Sequence, residues 1–235
     1  CADRTLNGGR GAISIISSPD LNKWKYEAKV VDEHTLFKSN STPFYDAPYL
    51  VYDKNKWYIF YSRIGTIGLA VSDSVTGPYK CLNNLILDKG LSNTWEGNRV
   101  WEPAVYKLRD GRWVMLYMGD SGNTTEQVGV AFSDSSITGP YKKSEKNPVL
   151  AFGPPGSLDA GTIADPWMIE FDSIYYVGYV CSYAKVDIET TYATSKDLVN
   201  YTKSNKIVLG RGSWDQTQVF RGGIHLFDNK YVFIY

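Results

Sequence analysis

Cysteine, methionine and histidine are scarce in this 235-residue chain, at three, three and two residues. Cys1, Cys81 and Cys181 are odd in number and far apart, so they form neither a disulfide framework nor a C-x-x-C metal site. An excess of one charge is also lacking, because 25 Lys and Arg balance 25 Asp and Glu. That neutrality argues against nucleic acid as the main partner, since phosphate binding needs a concentrated positive field. No apolar run approaches the ~20 residues of a membrane-spanning helix. Sustained helical periodicity with caps is missing too. Strands remain.

Aromatic residues are plentiful, with 18 Tyr, 9 Phe and 7 Trp making up 14% of the chain. Tyr and Trp join a flat apolar body to a polar tip, which suits both β-strands and surfaces that stack on sugar rings. Packing within strands accounts for most of them. Hydrophobic residues at 43% and charged residues at 21% supply an ordinary globular core. The first residue is Cys1, not methionine. Two readings stand side by side: a lipid-anchored cysteine left by signal-peptide removal, or an arbitrary boundary. The first would place the protein outside the cytoplasm of a bacterium.

Internal repetition decides the fold. "YDAPYLVYDKNKWYIFYSRIGTIGLAVSDSVTGPYK" begins at residue 45 and "WEPAVYKLRDGRWVMLYMGDSGNTTEQVGVAFSDSSITGPYK" at residue 101. A third copy, "ADPWMIEFDSIYYVGYVCSYAKVDIETTYATSKDLVNYTK", begins at residue 164. Each opens on an acid near a proline, runs through an apolar strand, a polar turn and an aromatic strand, then two further strands. Asp46, Glu102 and Asp165 follow one another at 56 and 63 residues, and Trp57, Trp113 and Tyr175 at 56 and 62. The two series run in parallel. Hairpin-turn residues sit in "DKNK" (53–56), "RDG" (109–111) and "FDNK" (227–230), and "VTGPY" and "ITGPY" are matching Gly-Pro turns.

Units of four short antiparallel strands and roughly 40–60 residues are blades of a β-propeller. The reading is one all-β propeller domain over 1–235, with blade segments near 11–31, 45–88, 101–150, 164–209 and 221–235. The chain starts and stops within units. The half-units either pair to close the ring or belong to a longer chain, and the apolar ending "YVFIY" favours the latter.

These motifs, with the "SPDLNKW" and "SKDLVNY" turns, resemble the five-bladed β-propeller glycoside hydrolases of families 43, 32, 68, 117 and 130, over residues 11–235. Family 43 is the nearest in character. The resemblance implies cleavage of a glycosidic bond by three carboxylates on inner strands around a central pocket. It implies an arabinose-, xylose- or fructose-type sugar on a plant or microbial polysaccharide or oligosaccharide. It carries Asp46 over as base, Glu102 as acid and Asp165 as modulator of the acid and anchor for a sugar hydroxyl. In family 43 the acids run Asp, Asp, Glu, the last in an "EGP"-like strand. Here they run Asp, Glu, Asp, and the corresponding strand reads Arg221-Gly222-Gly223.

Pro48, Pro103 and Pro166 follow the acids and remove a backbone donor. Tyr45, Trp101 and Trp167 flank the acids as candidate sugar platforms, with core packing as the alternative. Arg221 occupies the repeat position of Asp165 and could clamp a carboxylate or a phosphate, or pair with Asp165. His225 lies on the same strand. Glu96, Asp159 and Asp215 each precede a first-strand position by six residues and read as loop anchors near the rim. No cofactor is expected, although the resemblance allows a structural calcium ion. An oligosaccharide or polysaccharide is the expected partner. A phosphorylase of the same fold, or a sugar-binding propeller without activity, remain as alternatives.

Overall fold

The structure is a computed structural model describing residues 12–31, 45–82, 85–122, 126–183, 188–213, 215–216, 219 and 222–235, with the backbone alone of 2–3. Arg221 lies outside the described residues. Among the described residues all regular structure is strand. The N-terminal sheet holds β1 (Ala2–Asp3), β2 (Ala12–Ser17) and β3 (Lys25–Val31). Three four-stranded sheets follow in chain order. Blade A has β4 (Tyr45–Asp53), β5 (Lys56–Arg63), β6 (Thr66–Ser72) and β7 (Lys80–Cys81). Blade B has β8 (Arg99–Lys107), β9 (Trp113–Asp120), β10 (Glu126–Ser133) and β11 (Lys142–Lys143). Blade C has β12 (Thr162–Phe171), β13 (Ile174–Ser182), β14 (Glu189–Ser195) and β15 (Tyr201–Lys203). A final hairpin pairs β16 (Gly223–Phe227) with β17 (Lys230–Ile234).

Every pairing within these sheets is antiparallel and runs strand to next strand, as the four-strand unit requires. This is the all-β propeller architecture that the repeats imply. The first strands β4, β8 and β12 lie next to one another in sequence order, with β16 beside β12. Among the described residues no helix is long and apolar enough to cross a membrane.

Two apolar clusters between blades form most of the core. Phe60, Leu69, Val105, Met115 and Tyr141 pack between blades A and B. Leu116, Val130, Met168, Val177 and Tyr179 pack between blades B and C. Both faces of each middle strand are therefore buried, and β9 is apolar at nearly every position.

Polar rungs join the first strands across the blades. Glu102 N donates to Ser62 Oγ at 2.9 Å, and Asp165 N to Glu102 Oε2 at 2.9 Å. Further along, Tyr49 hydrogen-bonds Tyr106, whose hydroxyl accepts from Met168 N at 2.7 Å. Burial raises both phenols, Tyr49 strongly and Tyr106 to about 12.

Candidate active site

Each first strand carries a bulge in which two residues oppose one on the second strand. The ladder slips between Asp46 and Tyr49, between Trp101 and Ala104, and between Ala164 and Trp167. The extra dipeptides are Ala47-Pro48, Glu102-Pro103 and Asp165-Pro166. A proline is tolerated there because a bulge has no ladder bond to lose. The first residue of each dipeptide lies in the left-handed region, with φ of 48° at Ala47, 54° at Glu102 and 48° at Asp165. Non-glycine residues rarely adopt that conformation, and it concentrates at functional sites.

This register corrects the sequence alignment at one point. The structural counterpart of Glu102 and Asp165 is Ala47, and Asp46 stands one residue earlier, at the level of Trp101 and Ala164. The cause is turn length. Tyr52 pairs directly with Trp57, whereas Lys107 pairs with Trp113, so the second blade's turn is one residue longer. Second strands are therefore offset by 56 residues and first strands by 55. Asp46 matches the 56-residue period of the second strands, not the 55-residue period of the first.

Asp46 is buried, and its Oδ1 accepts the N–H of Ala47 at 2.7 Å. Ser62 pairs with Asp46 across the ladder, and Ser62 Oγ takes the Glu102 N–H. The backbone positions of the three expected acids are thus linked in series, Asp46 to Ser62 by the ladder, Ser62 to Glu102 and Glu102 to Asp165 by hydrogen bonds. Glu102 is half-buried and Asp165 buried. Among the described residues no group of His, Cys, Asp and Glu is arranged to hold a metal ion.

The residue opposing each bulge is a tyrosine: Tyr61, Tyr117 or Tyr179. Sequence reasoning missed these, although they recur at 56 and 62 residues. Glu96 Oε2 accepts the Tyr117 hydroxyl at 2.9 Å while Lys143 Nζ lies 2.8 Å from Glu96 Oε1. Asp159 Oδ2 is met by Tyr179 at 3.4 Å and by Lys203 at 2.5 Å. Asp215 bonds Tyr235 in the same pattern. These acids tie the loops preceding the first strands to the tyrosines behind the bulges. Gly68 and Gly129 are needed opposite two of those tyrosines, because a Cβ would fall 2.7 Å and 2.6 Å from the rings. In blade A the lysine's register position is taken by Cys81, whose thiol bonds Tyr61 and is raised to about 11 by burial.

The expected sugar platforms divide. Tyr45 is fully buried, edge-on to Tyr61, and offers no surface to a ligand. Trp167 is buried between Gly178 and the edge of Phe233, in the core placement. Trp101 is partly exposed and lies under the Arg99 guanidinium, 3.8 Å from the ring centre. His225 folds back over Gly223, and desolvation lowers its pKa.

The Glycosyl hydrolases family 43 model matches residues 5–94. Among solved structures, a thermostable family-43 glycoside hydrolase is 22% identical, with 91% of this chain and 71% of that one covered and a TM-score of 0.73. An endo-1,4-beta-xylanase from Bacteroides thetaiotaomicron is 19% identical over 94% of this chain and 74% of its own, with a TM-score of 0.71. An alpha-L-arabinofuranosidase from Clostridium thermocellum is 21% identical over 94% and 70%, with a TM-score of 0.68. Among curated proteins, none matches the sequence. At these identities the shared property is the fold.

Proposed function

We propose, from the premise that this chain is a β-propeller of the family-43-like glycoside hydrolase superfamily, that it hydrolyses a terminal or side-chain glycosidic bond with Glu102, Asp165 and Asp46. An arabinose-, xylose- or fructose-type sugar of a plant or microbial glycan is the substrate. One observation carries this reading: the hydrogen bond from Asp165 N to Glu102 Oε2, which brings two acid-bearing, left-handed bulges of neighbouring blades together.

Glycoside cleavage needs a carboxylic acid to protonate the departing oxygen and a carboxylate to activate water at the anomeric carbon. Glu102 is assigned the acid role. Its Oε2 accepts the Asp165 N–H, and the reading gives Oε1 the proton passed to the leaving group. Asp165, a like charge beside it, favours the protonated form of that neighbour. Asp46 is assigned the base role. Its carboxylate is buried one residue before the bulge of blade A, and the reading gives it the water of a single displacement. An inverting site holds its two carboxyl groups about 6.5–9.5 Å apart to admit a water between them.

Incubation with arabinan, xylan and fructan oligosaccharides in phosphate-free buffer tests the reading. Release of reducing sugar by the wild type, lost in Glu102→Gln, is expected. No release from any of these glycans counts against hydrolysis, and release only when phosphate is added would transfer the site to phosphorolysis.

A further inference from the structure

Where the first strands of blades B and C begin, Arg99 and Glu126, both outside the proposed catalytic set, face each other as donor and acceptor 3.7 Å apart. Arg99 starts β8, three residues before Glu102, and Thr162 starts β12, three before Asp165. At the rise of a strand this is about 10 Å from the acids. The Arg99 guanidinium is fixed on two sides. Its Nε donates to Asp120, and its plane lies over Trp101. Asp120 is itself buried and held by Asn98 Nδ2 at 2.9 Å and Gly122 N at 2.7 Å. The outer edge of the fork is different. Arg99 Nη2 stands 3.7 Å from Glu126 Oε1, beyond hydrogen-bond reach, while Glu126 Oε2 takes the Thr162 hydroxyl at 3.3 Å. Both side chains reach solvent, at 32% and 27% exposure.

We infer that Arg99 and Glu126 form a subsite for a neutral sugar unit of the glycan beyond the one whose bond is cut. A sugar hydroxyl accepts from a guanidinium and donates to a carboxylate at once, so it fits between Nη2 and Oε1 where the two groups do not satisfy each other. One cation against the two carboxylates of Asp120 and Glu126 leaves a net negative cluster, which disfavours an acidic sugar. A fork pre-set by Asp120 and Trp101 loses little freedom when the ligand arrives. This subsite rests on the glycosidase reading for its role, while its binding is measured separately.

Calorimetric titration with xylotriose and α-1,5-arabinotriose, against methyl β-D-xylopyranoside and methyl α-L-arabinofuranoside, tests it. Glu126→Ala, and Arg99→Lys as a gentler change that keeps the charge beside Asp120, are expected to weaken binding of a triose about tenfold or more. Affinity for the matching methyl glycoside is expected to stay within about twofold. Equal losses on both ligands, an unchanged triose affinity, or a wild type that binds neither triose overturns the subsite. Turnover of the same trioses reads the catalytic proposal independently. Binding that depends on Glu126 without turnover would keep the subsite and remove hydrolysis.

Discussion

The main-chain N–H of Asp165 donates to the Glu102 carboxylate across the boundary between blades B and C. The side chain of one acid thereby holds the left-handed backbone of the other. Charge and acceptor can be separated here by substitution. Glu102→Gln keeps an oxygen for that N–H, so the fold should remain while turnover falls at least about a hundredfold, as loss of a general acid does. Glu102→Ala also orphans the donor and should lower unfolding stability by about 1–3 kcal/mol. Rates and thermal melts of the two variants check both parts.

Tyr106 is the second rung between blades, accepting from Met168 N and from the Tyr49 hydroxyl. Tyr106→Phe preserves the ring and removes the oxygen that serves both donors. A loss of about 1–3 kcal/mol is expected in urea unfolding, with an unchanged dependence on urea concentration.

Lys203 and Lys56 both pair with an aspartate, in different surroundings. The Asp159 side chain against Lys203 is 7% exposed, whereas Asp73 against Lys56 is 84% exposed. Lys203→Met leaves the buried Asp159 with neutral hydroxyl partners alone, Ser157 Oγ at 2.9 Å and Tyr179 at 3.4 Å, and should cost about 1–3 kcal/mol, less than a fully buried pair because Lys203 itself reaches water. Lys56→Met should leave the melt essentially unchanged, because water screens the exposed pair. Parallel melts of the two variants separate an anchor from a surface pair.

Two matched turns predict acid sensitivity. Asp20 accepts the N–H groups of Asn22 and Lys23, and Asp197 those of Val199 and Asn200. These backbone bonds hold both carboxyls below their ordinary pKa. A carboxyl depressed in the folded state adds stability above its unfolded value near 3.8, and that stability disappears as pH falls through the folded value. Asp197→Ala should therefore destabilise at pH 7 and approach the wild type as pH drops below about 3. Melts across pH 2–7 measure the convergence. A constant difference would rule out the charged turn as its cause.

Much of the fold was legible in the chain because the blade repeats and turns are local signals. The "SPDLNKW" and "SKDLVNY" segments form one turn twice, with Leu21 and Leu198 at φ of 62° and 63°. The six-residue spacing of Glu96 and Asp159 before the bulges was visible, and their anchoring role holds. The lysines that complete them come from the fourth strand and carry no local mark. The first-strand register was misread by one residue because a longer turn before Trp113 shifts one strand against the next. Tyr45 and Trp167 have the composition of sugar platforms, yet which face of a strand is buried between blades is decided by packing. The Arg99–Glu126 pair joins a first strand to a third strand, a juxtaposition that only the folded chain makes.

Proton NMR of the newly released sugar, recorded from the first minutes of hydrolysis, tests the acid–base reading most directly. The prediction is an anomer of configuration opposite to the substrate's, produced by the wild type and absent in both Glu102→Gln and Asp165→Asn. Release at wild-type rate by both variants, or no free sugar from the wild type on any glycan of the panel, would contradict it.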